Sequence, residues 1–123
     1  MQLNLLPETF AICRFAPGAA LPAWALAGDF FAITRTADEL SVVCTQGLVP
    51  AETVASRDWR CLKVAGPLDF SLTGVLASLA GPLADAGISI FAISTYDTDY
   101  LLVKTDKLEA AVAVLRAAGH GVD

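Results

Sequence analysis

The stretch Phe31-Ala32-Ile33-Thr34 recurs sixty residues later as Phe91-Ala92-Ile93-Ser94. Continued without a gap, this register lays Glu39 over Asp99, Leu40 over Tyr100, Val42 over Leu102 and Val43 over Val103. Upstream, Arg14-Phe15-Ala16 matches Lys63-Val64-Ala65 at a spacing of 49. A chain that echoes itself in this way reads as two copies of one supersecondary unit. The difference between the two spacings makes the first copy eleven residues shorter between its first two strands. Only Pro17 to Phe30 bridges them there, room for a turn or two of helix around Trp24.

The second copy shows what the full unit is. Trp59 to Val64 reads as a strand that ends at Ala65-Gly66-Pro67. A helix is expected from near Phe70 to Ala86, with Leu72, Val75, Leu76, Leu79 and Leu83 on one buried stripe. Pro82 removes the bond to the Ser78 carbonyl, so a kink or break is expected, and Gly87 suits a C-terminal cap. Strands follow at Ile88 to Thr95 and Tyr100 to Lys104. A second helix starts at Asp106, with Glu109 completing a capping box, and ends at Gly119. His120 to Asp123 can add only a short edge strand. The order β-α-β-β-α-β predicts an α+β fold of two ferredoxin-like units, residues 1–58 and 59–123. Each has an antiparallel sheet with helices on one face, the first helix of the first unit being shortened.

Composition closes off several function classes. Hydrophobic residues make up 55% and charged residues 17%, which argues against disorder. From Phe70 to Tyr96 the one formal charge is Asp85, yet Gly81-Pro82, Gly87 and the change of apolar period argue against a membrane span. The net charge of −5, with no basic cluster, argues against nucleic acid. Cys13, Cys44 and Cys61 form no close pair and read as small buried hydrophobes, and with no basic-then-apolar leader a reducing cytoplasm is expected. The scattered cysteines and the single histidine, His120, provide no metal set, and His120 reads as a solvated terminal residue. No serine sits in a nucleophile elbow and no glycine-rich phosphate loop occurs, so neither catalysis nor a cofactor is expected.

One turn stands out. Between the last two long strands lies Ser94-Thr95-Tyr96-Asp97-Thr98-Asp99. A loop of Tyr96-Asp97-Thr98 sets Thr95 opposite Asp99, whereas a loop of Asp97-Thr98 sets Tyr96 there. Tight hairpins favour Asn-Gly or Asp-Gly, and the β-branched Thr98 resists left-handed angles. The turn is not optimised for turning alone, although aspartate and threonine are also ordinary loop residues that bond nearby amides. The helix after Gly66-Pro67-Leu68-Asp69 begins with unpaired amides, suited to a carboxylate unless Asp69 or Ser71 caps them. Together the two features would suit a zwitterion, its ammonium on a carboxylate such as Asp99.

The run KVAGPLDFSLTGVLASLAGPLADAGISIFAISTYDTDYLLV, residues 63–103, closely resembles small bacterial proteins built from tandem ACT domains. It is also similar to the ACT units of CASTOR-type arginine sensors, and such units also regulate aspartate kinases. The resemblance implies a non-catalytic module that binds an amino acid between units, as a homodimer, with a regulated metabolic enzyme as a further partner. It implies ligand contacts at Thr95, Tyr96, Thr98 and Asp99, and at Gly74, Val75 and Leu76 near the helix start. The first copy departs from the pattern, with Arg35, Thr36 and Glu39 at the matching hairpin. A ligand-free interaction module is the alternative that the apolar composition supports.

Overall fold

The computed structural model describes every residue, Met1–Asp123. Two compact units divide the chain: Met1–Pro7 with Arg60–Asp123, and Glu8–Trp59. A cut between residues 58 and 59 therefore misses the grouping of the first seven residues with the second half.

In the unit containing the C-terminus, the strands are the start of β1 (Gln2–Phe15), the end of β4 (Ala55–Val64), β5 (Phe91–Ser94), β6 (Asp99–Lys104) and β7 (Gly121–Val122). The helices are α1 (Val75–Asp85) and α2 (Leu108–Ala117). The strand order runs β1-β4-β6-β5, with β7 parallel to β1 through Gln2 opposite Gly121 and Leu3 opposite Val122. The expected four antiparallel strands thus gain a fifth, because β1 lies between β4 and the short β7. Leu3, Leu62, Val64, Leu101 and Val103 on one sheet face meet Leu79, Leu83, Ala111 and Leu115 from the helices. The two-residue spacing of the strand members and the four-residue spacing of the helix members are what a sheet covered by helices requires.

Helix α1 begins at Val75, five residues later than its apolar spacing suggests. Asp69 accepts from the Ser71 amide at 2.9 Å and its carbonyl from the Leu72 amide at 3.0 Å, a local turn that competes with helix. Gly74, at φ +78°, then stands at the helix start in a left-handed conformation. Leu72 is consequently off the helix and 54% exposed; Leu76 is exposed too, so the buried stripe reduces to Leu79 and Leu83 with Val75 packed beside them. Pro82 does not break the helix. Both helices end in the same way: Ile88 N–H reaches the Leu83 carbonyl and His120 N–H that of Leu115, with Gly87 and Gly119 at positive φ. The expected capping box at Asp106 does not form. Thr105–Lys107 make a 3₁₀ turn, and α2 follows from Leu108 without a side-chain cap.

The Glu8–Trp59 unit carries the rest of β1, β2 (Ala32–Arg35), β3 (Leu40–Thr45) and the start of β4. Phe10 to Phe15 of β1 pair antiparallel with Thr45 to Leu40, and Ala32 to Arg35 pair with Val43 to Leu40. One 3₁₀ turn, Ala23–Leu26, stands where a helix would be, and its Ala25 packs with Ala11, Cys13, Leu40, Val42 and Cys44. No helix of the chain is long and apolar enough to cross a membrane.

Candidate functional site

The hairpin of β5 and β6 follows neither expected form. Ser94 pairs with Asp99, and Thr95 N–H donates to the Thr98 carbonyl at 2.8 Å, leaving Tyr96 and Asp97 as the two central residues. Threonine side chains hold this turn. Thr95 Oγ1 donates to the Thr98 carbonyl at 3.1 Å and accepts from the Thr98 amide at 3.3 Å. Thr98 is only 4% exposed, and its hydroxyl donates to the Val64 carbonyl at 2.6 Å. Thr98 is therefore a strap from the hairpin to the end of β4. A second strap runs from Leu68 N–H to the Asp97 carbonyl at 2.7 Å.

These straps bring the loop after β4 against the hairpin and leave a cleft of about 250 Å³ between them. Leu68, Asp69, Phe70 and Leu72 line one side, Ser94 to Asp99 the other, and Val75 at the start of α1 closes an end. Asp99 is half-buried and accepts from the Ser94 hydroxyl at 2.6 Å through one carboxylate oxygen. Phe70 and Tyr96 meet edge to face at the rim, ring centroids 4.8 Å apart, and remain 73% and 80% exposed. The Ser71 amide, with help from its hydroxyl, holds the exposed Asp69 carboxyl below the usual carboxylate range. Three aspartates and no basic side chain line the cleft. Helix α1 has no side-chain cap, so its first amides remain donors at that end.

Of the residues singled out in the sequence, Thr95, Tyr96, Thr98, Asp99 and Val75 line this cleft, whereas Gly74 and Leu76 are not part of its wall. Sequence reasoning missed Leu68, Phe70 and Leu72 as lining because it placed much of that segment on a helix. It missed Ser94, which only the true register sets beside Asp99.

That register also corrects the internal match. β2 and β5, β3 and β6, and the 3₁₀ turns Gln46–Leu48 and Thr105–Lys107 are all spaced by 59 residues, not 60. In a strand, a slip of one residue exchanges the two faces. Thr36 is thus the counterpart of Thr95: its amide donates to the Glu39 carbonyl at 2.9 Å, and its hydroxyl accepts from the amides of Asp38 and Glu39. The counterpart of Asp99 is the fully buried Leu40, not Glu39. Arg35 stands where Ser94 does, its guanidinium donating to the carbonyls of Pro17 and, at 2.8 Å, Ala19. In the Glu8–Trp59 unit, an apolar side chain and an internal arginine occupy the places of the Asp99–Ser94 pair.

A family model described as the ACT domain matches residues 54–117. The chain belongs to the ACT domain family. A second model, described as an N-terminal domain, matches residues 8–52 of this ACT protein. Among curated proteins it is 34% identical over 101 residues to the human cytosolic arginine sensor for mTORC1 subunit 1, covering 76% of this chain and 31% of that protein. The ACT chain thus spans about a third of the length of such relatives. A solved structure from Agrobacterium tumefaciens is 41% identical, with a TM-score of 0.94 over 99% of this chain and 91% of that one. The regulatory subunit of aspartate kinase from Thermus thermophilus superposes with a TM-score of 0.66 over 95% of this chain and 97% of that one. At 15% identity, that likeness shows the fold alone.

Proposed function

We propose that this ACT protein is a regulatory, non-catalytic binder of an amino acid, held in the cleft between the start of α1 and the β5–β6 hairpin. The observation that carries the reading is the Asp99 carboxylate, oriented by Ser94, in a cleft of about 250 Å³ that Val75 at the uncapped start of α1 also lines. The ligand carboxylate takes the helix amides, where the dipole favours negative charge, and its ammonium takes Asp99. With aspartates at 69, 97 and 99, no basic lining residue and two exposed rings at the rim, the cleft favours an amino acid with a cationic side chain. A relative named as an arginine sensor supports this class of ligand.

In this reading the chain consists of two ACT-type units, the second of which, residues 59–123 with the first strand, holds the ligand. It acts in the cytosol as a homodimer, the ligand lying near an interface between units, and reports to an enzyme of amino-acid metabolism. A second reading, docking of a protein on the same rim without any ligand, draws on the exposure of Phe70, Leu72 and Tyr96.

A melting-temperature panel of the common amino acids separates these readings. A ligand at about 100 times its Kd adds roughly 2.7 kcal/mol of stability. L-arginine or L-lysine is expected to raise the melting temperature, and Asp99→Asn to weaken that ligand by about tenfold or more, equivalent to about 1.4 kcal/mol. If no amino acid shifts the transition, or if Asp99→Asn leaves a shift intact, the site is not the one described.

A further inference from the structure

A second cleft lies on the other side of the same hairpin turn, with a volume of about 210 Å³. Lys63, Pro67, Thr95, Asp97, Thr98 and Tyr100 are on its wall. Lys63 alternates along β4 with Leu62 and Val64, and Tyr100 adjoins Leu101 on β6; those neighbours enter the helix-covered core. Alternation therefore puts Lys63 and Tyr100 on the opposite, helix-free face. The two clefts share Thr95, Asp97 and Thr98 and differ in the rest of their walls.

The charges in this second cleft differ from those in the first. It contains one ammonium, Lys63, and one carboxylate, Asp97. Neither forms an ion pair or side-chain hydrogen bond within the chain, with the other or with any third group. An ammonium and a carboxylate that share a cleft and stay apart are complementary to a ligand with both charges on a short frame. A plain anion would meet Asp97, and a plain cation would meet Lys63. The volume suits a small molecule.

We propose that this cleft is a second binding site, for a small α-amino acid with an uncharged side chain, its carboxylate on Lys63 and its ammonium on Asp97. Asp97 lines both clefts and Lys63 this one alone; the inference rests on Lys63 beside Asp97 and does not require the first cleft to be a regulatory site.

Isothermal titration of the full chain with glycine and with L-alanine tests it. Saturable binding is expected, retained in Asp99→Asn, weakened tenfold or more in Lys63→Met, and restored in large part by Lys63→Arg. Denaturant unfolding of each variant verifies that it is folded before titration. Absence of binding by both probes at millimolar concentration overturns the proposal. So does unchanged binding in folded Lys63→Met, or loss of binding in Asp99→Asn, which would place the probe in the first cleft. Failure of the arginine and lysine panel bears only on that first cleft, so the two proposals fail separately.

Discussion

Pro82 sits inside α1 with no amide hydrogen to offer the Ser78 carbonyl, and the structure shows another donor there: His120 Nε2, at 3.1 Å. The other ring nitrogen, Nδ1, lies 2.9 Å from the amino group of Met1. An arrangement in which Nε2–H donates and Nδ1 accepts satisfies both contacts, so the imidazole serves as a bridge and not as the solvated terminal residue its position suggests. The side-chain bond is exposed, and a hydrogen bond of this kind contributes about 0.5–1.5 kcal/mol net. His120→Ala should therefore cost about 1 kcal/mol. In Pro82→Ala the new amide can reach the Ser78 carbonyl in the ordinary helical way, so His120→Ala should cost distinctly less in that background. The expected coupling is about 0.5–1 kcal/mol, above the few tenths at which independent sites add. Urea unfolding of the four proteins, with a common slope imposed only where the data allow it, measures the cycle. If His120→Ala costs the same in the Pro82→Ala background as in the parent chain, the histidine is not replacing the missing helical bond.

Other substitutions probe the straps. Thr98→Val keeps the shape but removes the donor to the Val64 carbonyl, and should cost about 1–3 kcal/mol in denaturant unfolding while weakening any ligand of either cleft. Gly66→Ala puts a methyl 3.0 Å from the Asp97 carbonyl oxygen and 3.1 Å from Thr98 Cβ. It should lower ligand affinity by parting the loop from the hairpin, read by titration on folded protein. Burial raises the Cys13 thiol and pushes that of Cys44, with the Cys13 sulfur beside it, from 9.0 to about 12. A raised folded-state value gives stability that is present below the unfolded value and lost as pH rises through the folded one. Unfolding free energy should therefore decline between about pH 9 and pH 12, and Cys44→Ala should flatten that decline.

Much of the fold was readable because apolar spacing and glycine stops are strong local signals. Gly87 and Gly119 mark the helix ends correctly, and the strands of the two hairpins are where their β-branched runs lie. The misreadings occur at the helix starts, where local turns replace the expected helical backbone. Asp69 turns the chain that apolar spacing assigned to helix, and Thr105–Lys107 replace the capping box with a 3₁₀ turn. The repeated Phe-Ala-Ile drew the match to a spacing of sixty, although the turn threonines, 36 and 95, fix it one residue shorter. Half of the first cleft was therefore visible, through Thr95 and Asp99. Its loop side was not, since no local pattern says that Leu68 will bond to Asp97. The buried role of Thr98 was equally hidden, because its partner is the carbonyl of Val64, 34 positions away.

Strand β1 begins in one compact unit and ends in the other, and β4 does the same in its own direction. The halves of this chain are consequently not interchangeable parts. A fragment starting at Arg60 would lack the strand between β4 and β7, leaving Leu62 and Val64 without Leu3 and the last strand without a neighbour. A cut at the apparent midpoint falls inside β4 and parts its second half from β1, its neighbour in the sheet. Such a protein can be duplicated or lengthened as a whole far more readily than it can be divided.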